Sequence, residues 1–354
     1  MQREVWTGRR VLLTGHTGFK GAWLGLWLRR LGAEVTGFAL APPTEPSLFD
    51  LTDGAPVDHS IVADLRDAEA VAQAVADHRP EVVFHLAAQA LVRPSYDDPV
   101  ETYATNVLGT VHLLEAIRQT PGVRAVVVVT SDKCYENREW LWPYRESEAL
   151  GGHDPYSSSK GCAELVTAAY RNSFFAPLGP EAPAVASARA GNVFGGGDWG
   201  KDRLLPDIVR GVLAGETIHI RSPHAVRPWQ HVLEPLAGYL TLAEALLDDG
   251  PAHAEAWNFG PADDDARPVG WIVGRMAELW GPEMQWRQDE GTHPHEAQLL
   301  KLDASKARTQ LGWSPRLPLA EALEWFVDWT RAYRAGDDVR GLCERQIVDY
   351  ETRG

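Results

Sequence analysis

The chain has 354 residues, of which 44% are hydrophobic and 23% charged, a balance typical of globular proteins with roughly two domains. Its formal net charge of −15 disfavours broad contact with nucleic acid or an anionic membrane. Cys134, Cys162 and Cys343 lie too far apart for a disulfide framework, and no histidine spacing indicates a metal site, so we expect no metal. No apolar run reaches the roughly 20 residues of a membrane span, and the first residues lack a signal-peptide core. We therefore expect a cytoplasmic protein.

Apolar, β-branched runs alternate with helix-period segments through the first half of the chain. The predicted strands are Arg9–Gly15, Glu34–Leu40, Glu81–Ala88, Arg124–Ser131 and Ala184–Ala190. The predicted helices are Ala22–Leu31, Asp67–His78, Val100–Gln119 and Ser157–Arg171. Several strands are apolar throughout, as strands buried on both faces are. The alternation predicts an α/β fold with a Rossmann-type, doubly wound parallel sheet.

The alternation of predicted strands and helices ends at about residue 190, after which Gly, Pro and Trp become frequent. The segments "TIHI", "EAWNFG" and "MQWR" predict short strands, and the apolar periodicity predicts helices at Val232–Leu247, Pro268–Trp280 and Pro318–Ala335. We expect a dinucleotide-binding domain at 1–190 and a smaller, mixed C-terminal substrate domain at 191–354. The second domain is expected to be discontinuous, with segments near 228–262 returning to the first.

Three glycines, Gly15, Gly18 and Gly21, follow the first predicted strand and precede the first long helix. In this context Gly15 allows a tight turn, Gly18 lets the backbone approach a pyrophosphate, and Gly21 lets helix and strand pack closely. The helix N-terminus offers free N–H groups and a positive dipole end to phosphates. The sequence disfavours a P-loop, because Lys20 is followed by Gly21 rather than by Ser or Thr.

The stretch "TGHTGFKG" resembles the nucleotide-binding turn of the extended short-chain dehydrogenases/reductases, and the resemblance continues in "ADLRD", "HLAAQA", "TNVLGT" and "YSSSK". It implies NAD as cofactor and a homodimer formed through Val100–Gln119 and Ser157–Arg171. The cofactor-binding residues that it implies are Gly15, Thr17, Gly18, Phe19, Lys20, Gly21, Asp64, Leu65, Leu86, Ala87, Ala88, Asn106, Tyr156 and Lys160.

Three details of this cofactor site stay open at the level of sequence. The end of the second strand, "GFALAPP", carries neither an acid for a ribose nor an arginine for a 2′-phosphate, so it does not separate NAD from NADP. Asp64 matches the family position that contacts the adenine amino group, but it also suits a helix N-cap. Lys20 could reach a phosphate or be a solvated turn residue.

Tyr156 and Lys160 are four residues apart, which places them on one face of a helix. A phenol near an ammonium and a nicotinamide is expected to have a lowered pKa, which would make Tyr156 a general base for a sugar hydroxyl. The pair matches the family's Tyr-x-x-x-Lys motif. Ser131, at the end of the preceding predicted strand, is expected to hydrogen-bond the reacting oxygen.

Asp132 and Lys133 follow Ser131 directly. Among the related sugar-nucleotide enzymes, 4-epimerases generally need no acid–base pair here, whereas 4,6-dehydratases do, commonly as Asp-Glu. Together with "HTGFKG" and "HPHEA", the Asp-Lys pair resembles the 4,6-dehydratases that act on CDP-glucose. The resemblance implies that Asp132 protonates the departing C6 hydroxyl, and that Lys133 removes the C5 proton or stabilises the enolate.

The resemblance also implies substrate contacts for six residues: Gln89, Asn192, Arg203, Arg227, His295 and Glu296. Plain surface charges and a turn asparagine are the alternative interpretation of most of these positions. The expected substrate is CDP-glucose, and the product is expected to supply deoxysugars of surface polysaccharides such as the lipopolysaccharide O-antigen. Two other functions remain open: another 4,6-dehydratase or 4-epimerase of this fold, and a non-catalytic dinucleotide-sensing protein.

Overall fold

A seven-stranded, entirely parallel sheet forms the centre of the protein, in a computed structural model that describes residues 1–179, 181–289, 291 and 298–353. The strands are β1 Arg10–Thr14, β2 Glu34–Ala39, β3 His59–Val62, β4 Val82–His85, β5 Ala125–Val129, β6 Ala184–Ala190, β7 Val193–Phe194, β8 Ile218–Ile220, β9 Val226–Pro228, β10 Gln230–His231, β11 Ala256–Phe259, β12 Ala266–Pro268 and β13 Trp286–Gln288. The order in the sheet is β11-β6-β5-β4-β1-β2-β3.

Fifteen α-helices are present in the described residues: α1 Arg3–Trp6, α2 Phe19–Leu31, α3 Leu48–Leu51, α4 Ala68–His78, α5 Val92–Asp97, α6 Pro99–Tyr103, α7 Gly109–Gln119, α8 Pro155–Tyr170, α9 Leu204–Ala214, α10 Leu233–Asp248, α11 Gly250–His253, α12 Val269–Trp280, α13 Ser305–Gln310, α14 Leu319–Ala335 and α15 Val339–Thr352. π-Helical turns occupy Ala104–Leu108 and Arg171–Phe175. Single 3₁₀ turns lie at Asp132–Cys134, Ala176–Leu178, Asp263–Asp265 and Gly281–Glu283.

The valine run of β5 is buried on both faces of the sheet. Val127 and Val129 belong to one hydrophobic core, with α2 and α10, while Val126 and Val128 belong to a second core, with α4 and α7. A strand whose alternate side chains enter two cores must be apolar throughout, which explains the sequence pattern. The doubly wound α/β fold expected from the sequence is confirmed.

The topological switch point lies between β1 and β4. From β1 the chain proceeds to β2 and β3 on one side, and then returns to β4, β5 and β6 on the other. In parallel sheets the loops diverge at such a point and leave a crevice at the carboxyl ends of the strands. The position of the crevice follows from strand order.

Helix α2 connects the sheet to the second half of the chain. Trp23 Nε1 donates a hydrogen bond of 2.9 Å to the carbonyl of Gly196, and Trp27 Nε1 donates one of 2.8 Å to Glu351 at the C-terminus. Nine of the 13 residues of α2 are buried, which accounts for its broadly apolar sequence. The second half adds three two-stranded sheets, β7–β10, β8–β13 and β9–β12, while β11 joins the edge of the main sheet beside β6.

Two elements differ from the sequence-based expectation. The strand β3 was not predicted, because "HSIV" is short, partly polar and mostly exposed at the edge of the sheet. The single helix expected over Val100–Gln119 is divided into α6, a π-helical turn and α7, since a local change in hydrogen bonding leaves the apolar pattern intact. Within the described residues, no helix is long and apolar enough to cross a bilayer.

Candidate active site

A cavity of about 2060 Å³ opens at the carboxyl ends of the central strands. One wall comes from the glycine turn after β1 and from the loops after β2, β4 and β5. The other wall comes from 190–207 and 218–229 in the second half of the chain. Most of the predicted site residues line this cavity: Gly15, Thr17, Gly18, Phe19, Lys20, Gly21, Asp64, Leu65, Leu86, Ala87, Ala88, Gln89, Ser131, Asp132, Lys133, Tyr156, Lys160, Asn192, Arg203 and Arg227.

The glycine turn packs too tightly for side chains at two of its three glycines. Gly15 has φ +79°, and a Cβ there would lie 2.8 Å from the nitrogen of Ala87. A Cβ on Gly21 would lie 2.1 Å from the carbonyl oxygen of Gly15. A Cβ on Gly18 would meet no described atom nearer than 3.4 Å, so this residue borders open space at the N-terminus of α2. The turn thus offers the close backbone approach that a dinucleotide pyrophosphate needs.

Hydroxyl groups fix the loops around the turn. Thr14 Oγ1 accepts hydrogen bonds of 3.1 Å from the backbone nitrogens of Leu86 and Ala87, which joins the ends of β1 and β4. Thr17 Oγ1 donates one of 2.9 Å to the carbonyl of Leu40 after β2. The three strand ends that frame the switch point are therefore held together by side chains.

Lys20 points towards the inner end of the cavity. Its Nζ lies 5.9 Å from the ring centroid of Tyr239, a fully buried residue of α10. The pKa of Lys20 is lowered to about 7, mainly by burial and also by the charges of Arg203 and Lys160, against the opposing effect of Asp132 and Asp198. Lys20 is thus a partly buried residue of the cavity lining, at the start of α2.

Three predicted ligand residues already have protein partners. Asp64 forms a two-pronged ion pair with Arg66, at distances of 2.6 to 3.0 Å. The amide of Asn106 is buried outside the cavity lining, where it donates to Ser159 Oγ at 2.8 Å and to the carbonyl of Gln89 at 3.0 Å. The Gln89 side chain donates 2.9 Å to the carbonyl of Leu91. Asn106 and Gln89 stabilise the loop after β4 in this structure.

Tyr156 and Lys160 lie in the first turns of α8, which Asp154 caps by accepting a hydrogen bond of 2.9 Å from the nitrogen of Ser157. Lys160 Nζ is 3.4 Å from the carbonyl oxygen of Val129 at the end of β5. Burial lowers the pKa of Lys160 to about 8. The cap and the strand end together fix the pair inside the cavity.

The protein without a cofactor does not itself lower the pKa of Tyr156. Burial raises this pKa to about 12, although a hydrogen bond with Ser131 and the charge of Arg203 act in the opposite direction. A phenolate deprived of water is costly unless a cation compensates it. The positive charge of a bound nicotinamide was part of the sequence-based argument, and the protein without it favours the neutral phenol.

Ser131, Asp132 and Lys133 follow β5 as a 3₁₀ turn. Ser131 Oγ donates a hydrogen bond of 3.0 Å to Asp132 Oδ1 and accepts one of 3.2 Å from the backbone nitrogen of Lys133. Asp132 is buried, and burial raises its pKa, against the charges of Lys133, Arg227 and Lys20 and the Ser131 hydrogen bond. Lys133 Nζ lies 5.8 Å from the ring centroid of Tyr156. An acid, an amine and a phenol therefore meet at one point of the cavity.

A buried ion pair beneath this point was not predicted from the sequence. Glu164 accepts a hydrogen bond of 2.8 Å from Arg189 Nη2 and one of 2.6 Å from the hydroxyl of Ser187. The side chains of Glu164 and Arg189 are each at most 4% exposed. Thr130 Oγ1 donates to the other carboxylate oxygen at 2.5 Å. Glu164 follows Lys160 by four residues, so the helical spacing places it on the same face and was the available signal.

Two predicted substrate-binding arginines line the cavity. Arg203 Nη1 is 2.9 Å from Asp198, and its Nη2 donates 3.0 Å to the carbonyl of Val193. Arg227 Nη1 donates 2.9 Å to the carbonyl of Val226. The predicted substrate residues His295 and Glu296 lie outside the described residues. The structure describes no group of three His, Cys, Asp or Glu side chains that could hold a metal.

Comparison with known proteins identifies the relatives of this chain. The family model described as the NAD dependent epimerase/dehydratase family matches residues 11–260. CDP-glucose 4,6-dehydratase from Salmonella typhimurium (strain LT2) is 54% identical over 352 residues, covering 99% of this chain and 98% of the relative. UDP-glucose 4-epimerase from Mycolicibacterium smegmatis is 28% identical, covering 91% and 98%. The solved UDP-glucose 4-epimerase of Thermus thermophilus in complex with NAD has a TM-score of 0.75 and 26% identity, covering 91% and 99%.

Proposed function

The chain belongs to the NAD dependent epimerase/dehydratase family, and on that premise we propose that it converts CDP-D-glucose to CDP-4-keto-6-deoxy-D-glucose and water. This is the activity named for the relative that is 54% identical over nearly the whole chain. The enzyme is an NAD-dependent hydro-lyase, in which the cofactor is oxidised and reduced within each turnover.

The observation that carries this function is the position of Asp132 and Lys133 beside Tyr156. Elimination of water across C5 and C6 requires a base for the C5 proton and an acid for the C6 hydroxyl, whereas a 4-epimerase requires neither. Lys133 Nζ lies 5.8 Å from the Tyr156 ring, and the Asp132 carboxyl lies in the same buried turn. A carboxyl whose pKa is raised by burial suits the role of an acid near neutral pH.

The glycine turn and the loops at the switch point fit a dinucleotide, because Gly18 borders open space at the N-terminus of α2. NAD held by this turn would supply the hydride acceptor that oxidation at C4 needs and the hydride donor that reduction at C6 needs. Tyr156 takes the proton of the 4-hydroxyl as its general base, and Ser131 orients the same oxygen. Lys160, whose Nζ lies 3.4 Å from the Val129 carbonyl oxygen at the end of β5, provides positive charge one helical turn from the phenol.

After C4 is oxidised, its carbonyl makes the C5 proton acidic enough for removal. Lys133 takes this proton, or supports the enolate by its charge, while Asp132 protonates the departing C6 hydroxyl. Arg203 and Arg227, which line the same cavity, hold the diphosphate together with Asn192. These local cations attract an anionic substrate to a protein whose net charge is −15. Residues 1–190 with β11 form the cofactor domain, and the remainder binds the sugar nucleotide.

The protein is proposed to work in the cytoplasm as a homodimer, formed through the helices α6–α7 and α8. Large apolar side chains on these helices are exposed: Val100 at 77%, Leu108 at 54% and Leu165 at 60%. Val100 and Leu108 border a shallow apolar groove that also includes Cys162. Leu165→Glu should dissociate the dimer in sedimentation measurements, whereas Leu141→Glu, at an exposed leucine outside these helices, should not. An unchanged mass for Leu165→Glu would contradict this interface.

The substrate is tested by incubating the purified protein and NAD with CDP-, UDP-, dTDP- and GDP-glucose. A 4-keto-6-deoxy product develops an ultraviolet absorbance in alkali, and we expect it with CDP-glucose only. A stronger response with another nucleotide would change the assigned base, and a galactose product would identify a 4-epimerase. Binding of NAD without conversion of any of the four sugars would support a dinucleotide-sensing protein.

A further inference from the structure

We propose that Tyr135 is a positioning residue of the elimination step: its phenol hydroxyl anchors the turn that carries Asp132 and Lys133 to one edge of the main sheet. The inference rests on the proposed 4,6-dehydration, in which Asp132 protonates the departing C6 hydroxyl and Lys133 acts on the C5 proton. Tyr135 acts through the turn rather than on the sugar.

The backbone holds the two ends of this turn unequally. At its start, the nitrogen of Thr130 donates a hydrogen bond of 2.9 Å to the carbonyl of Ala188 in β6, so this end belongs to the sheet. The chain then leaves β5 as the 3₁₀ turn Asp132–Cys134. At its end, the carbonyl of Cys134 accepts 2.9 Å from the nitrogen of Gly151, which lies in the loop before α8. The backbone therefore ties the far end of the turn to a loop.

The hydroxyl of Tyr135 supplies a second anchor for the far end, and this anchor lies on the sheet. Its oxygen accepts a hydrogen bond of 2.8 Å from Arg189 Nη1, and its proton is donated over 2.7 Å to Asn258 Oδ1. Arg189 of β6 and Asn258 of β11 are register partners in two paired strands at one edge of the sheet. A phenol bonded to both members of a cross-strand pair is fixed in position and in direction.

The two side chains that hold the phenol are themselves held. Arg189 Nη2 donates 2.8 Å to Glu164, and Asn258 Nδ2 donates 2.9 Å to the carbonyl of Tyr144. The ring of Tyr144 stacks on the ring of Tyr135, with centroids 5.2 Å apart. Tyr135 is 1% exposed and Asn258 is fully buried, so water does not readily replace a hydrogen bond lost here.

Release of this anchor should act on elimination more than on oxidation. Lys133 and Asp132 lie two and three residues before Tyr135, so a shift of the far end of the turn moves both. Ser131 follows the end that the sheet holds, and Tyr156 lies on α8. The acid and the base would therefore move relative to the sugar, while the groups that serve oxidation at C4 keep their places. A displacement of about 1 Å can lower a rate about a hundredfold.

The test compares Tyr135→Phe with Tyr350→Phe. Tyr350 of α15 is the matched control, since its fully buried hydroxyl donates 2.7 Å to Glu234 and its ring packs on Trp27 of α2. Each variant, loaded with NAD, turns over CDP-glucose while bound NADH is followed by its absorbance. In Tyr135→Phe we expect elimination to fall about tenfold to a hundredfold below oxidation, so that NADH and the 4-ketoglucose intermediate accumulate.

A second measurement identifies the slow step. With CDP-glucose carrying deuterium at C5, the primary isotope effect on kcat should rise in Tyr135→Phe, because removal of the C5 proton then limits turnover. Tyr350→Phe should lose a similar amount of stability in urea but keep the wild-type NADH level and isotope effect. Wild-type values of both quantities in Tyr135→Phe, whatever its kcat, would overturn the positioning role and leave Tyr135 a structural residue.

Asn258 tests the same anchor from the other side, and also serves if Tyr135→Phe does not fold. Asn258→Ala and Asn258→Asp both lose the amide donor to the carbonyl of Tyr144, but only the aspartate keeps an acceptor for the hydroxyl of Tyr135. NADH should accumulate in Asn258→Ala and not in Asn258→Asp, and equal levels in the two would contradict the proposal. Failure of the proposed function is separate, because the wild-type protein would then form no 4-keto-6-deoxy sugar from CDP-glucose.

Discussion

Removing one partner of the buried ion pair between Glu164 and Arg189 should destabilise the protein strongly, because the other charge is then left buried and unpaired. Replacing Glu164 by Gln leaves the Arg189 guanidinium charged, at most 4% exposed and without its carboxylate. Removing one partner of such a buried pair typically costs about 3–5 kcal/mol in the free energy of unfolding. Glu344→Gln on α15 is the matched control: its carboxylate is 3.0 Å from Arg340 Nε but about half exposed, so the loss should be at most about 1 kcal/mol.

Urea denaturation followed by fluorescence measures both losses, and the double variant Glu164→Gln, Arg189→Met separates charge from packing. With neither charge present, the double variant should recover most of the stability. The hydrogen bonds and the cation hold the folded-state pKa of Glu164 below its unfolded value. Its contribution is therefore complete above the unfolded pKa and is lost as pH falls through the folded pKa. If Glu164→Gln cost no more than Glu344→Gln, the ion pair would not stabilise the end of the sheet.

The same carboxylate should shape the pH dependence of activity. The charge of Glu164 raises the pKa of Lys160, which burial lowers to about 8. Activity that needs the Lys160 ammonium should therefore decline above about pH 8 in the wild-type protein, if its pKa in the complex stays near this value. In the double variant this decline should begin at a lower pH, and an unchanged profile would show that Glu164 does not act on Lys160.

Three further predictions concern the site itself. Tyr156→Phe should lower turnover about 10²–10⁴-fold while calorimetry shows retained binding of CDP-glucose, and a near-normal rate would remove this phenol from the mechanism. Gly18→Val should abolish NAD affinity without loss of fold. The control Gly274→Val, at a glycine of α12 that also borders open space, should leave NAD affinity unchanged. Equal NAD affinities of the two variants would place the cofactor elsewhere. In the variants Lys133→Met and Asp132→Asn the reaction should stop after oxidation at C4, before water is eliminated. Exchange of the C5 proton with solvent should persist only in Asp132→Asn. Normal exchange in Lys133→Met would exclude Lys133 as the base.

The strands of the sheet were predictable from the sequence where burial on both faces requires a run of apolar residues. The exposed edge strand was not predictable in this way. β5 is apolar throughout because both of its faces are covered, and β6 is buried along its whole length although it carries Ser187 and Arg189; the sequence predicted both strands. The edge strand β3 carries no such run, since most of its side chains face solvent. Its position depends on pairing with β2, which is a tertiary contact rather than a local preference.

The candidate site was predictable as a set of residue types, but not as a set of partners. Motif spacing led to Tyr156 and Asp132, and both lie in the cavity. Spacing does not reveal that burial is the largest influence on the pKa of the Tyr156 phenol. Nor does it reveal that Asn106 hydrogen-bonds the loop after β4, or that Lys20 lies close to the ring of Tyr239. Each of these depends on elements distant in sequence, which only the folded chain brings together.

The central claim is that one protein oxidises C4, removes water across C5 and C6, and reduces C6 within a single turnover. CDP-glucose carrying deuterium at C4, incubated in ordinary water with the protein and NAD, tests it most directly by nuclear magnetic resonance of the product. We expect a 4-keto-6-deoxy sugar with the deuterium at C6, and a parallel reaction in heavy water should place solvent deuterium at C5. Deuterium that stays at C4 of a hexose that keeps its 6-hydroxyl would contradict the dehydration and indicate epimerisation instead.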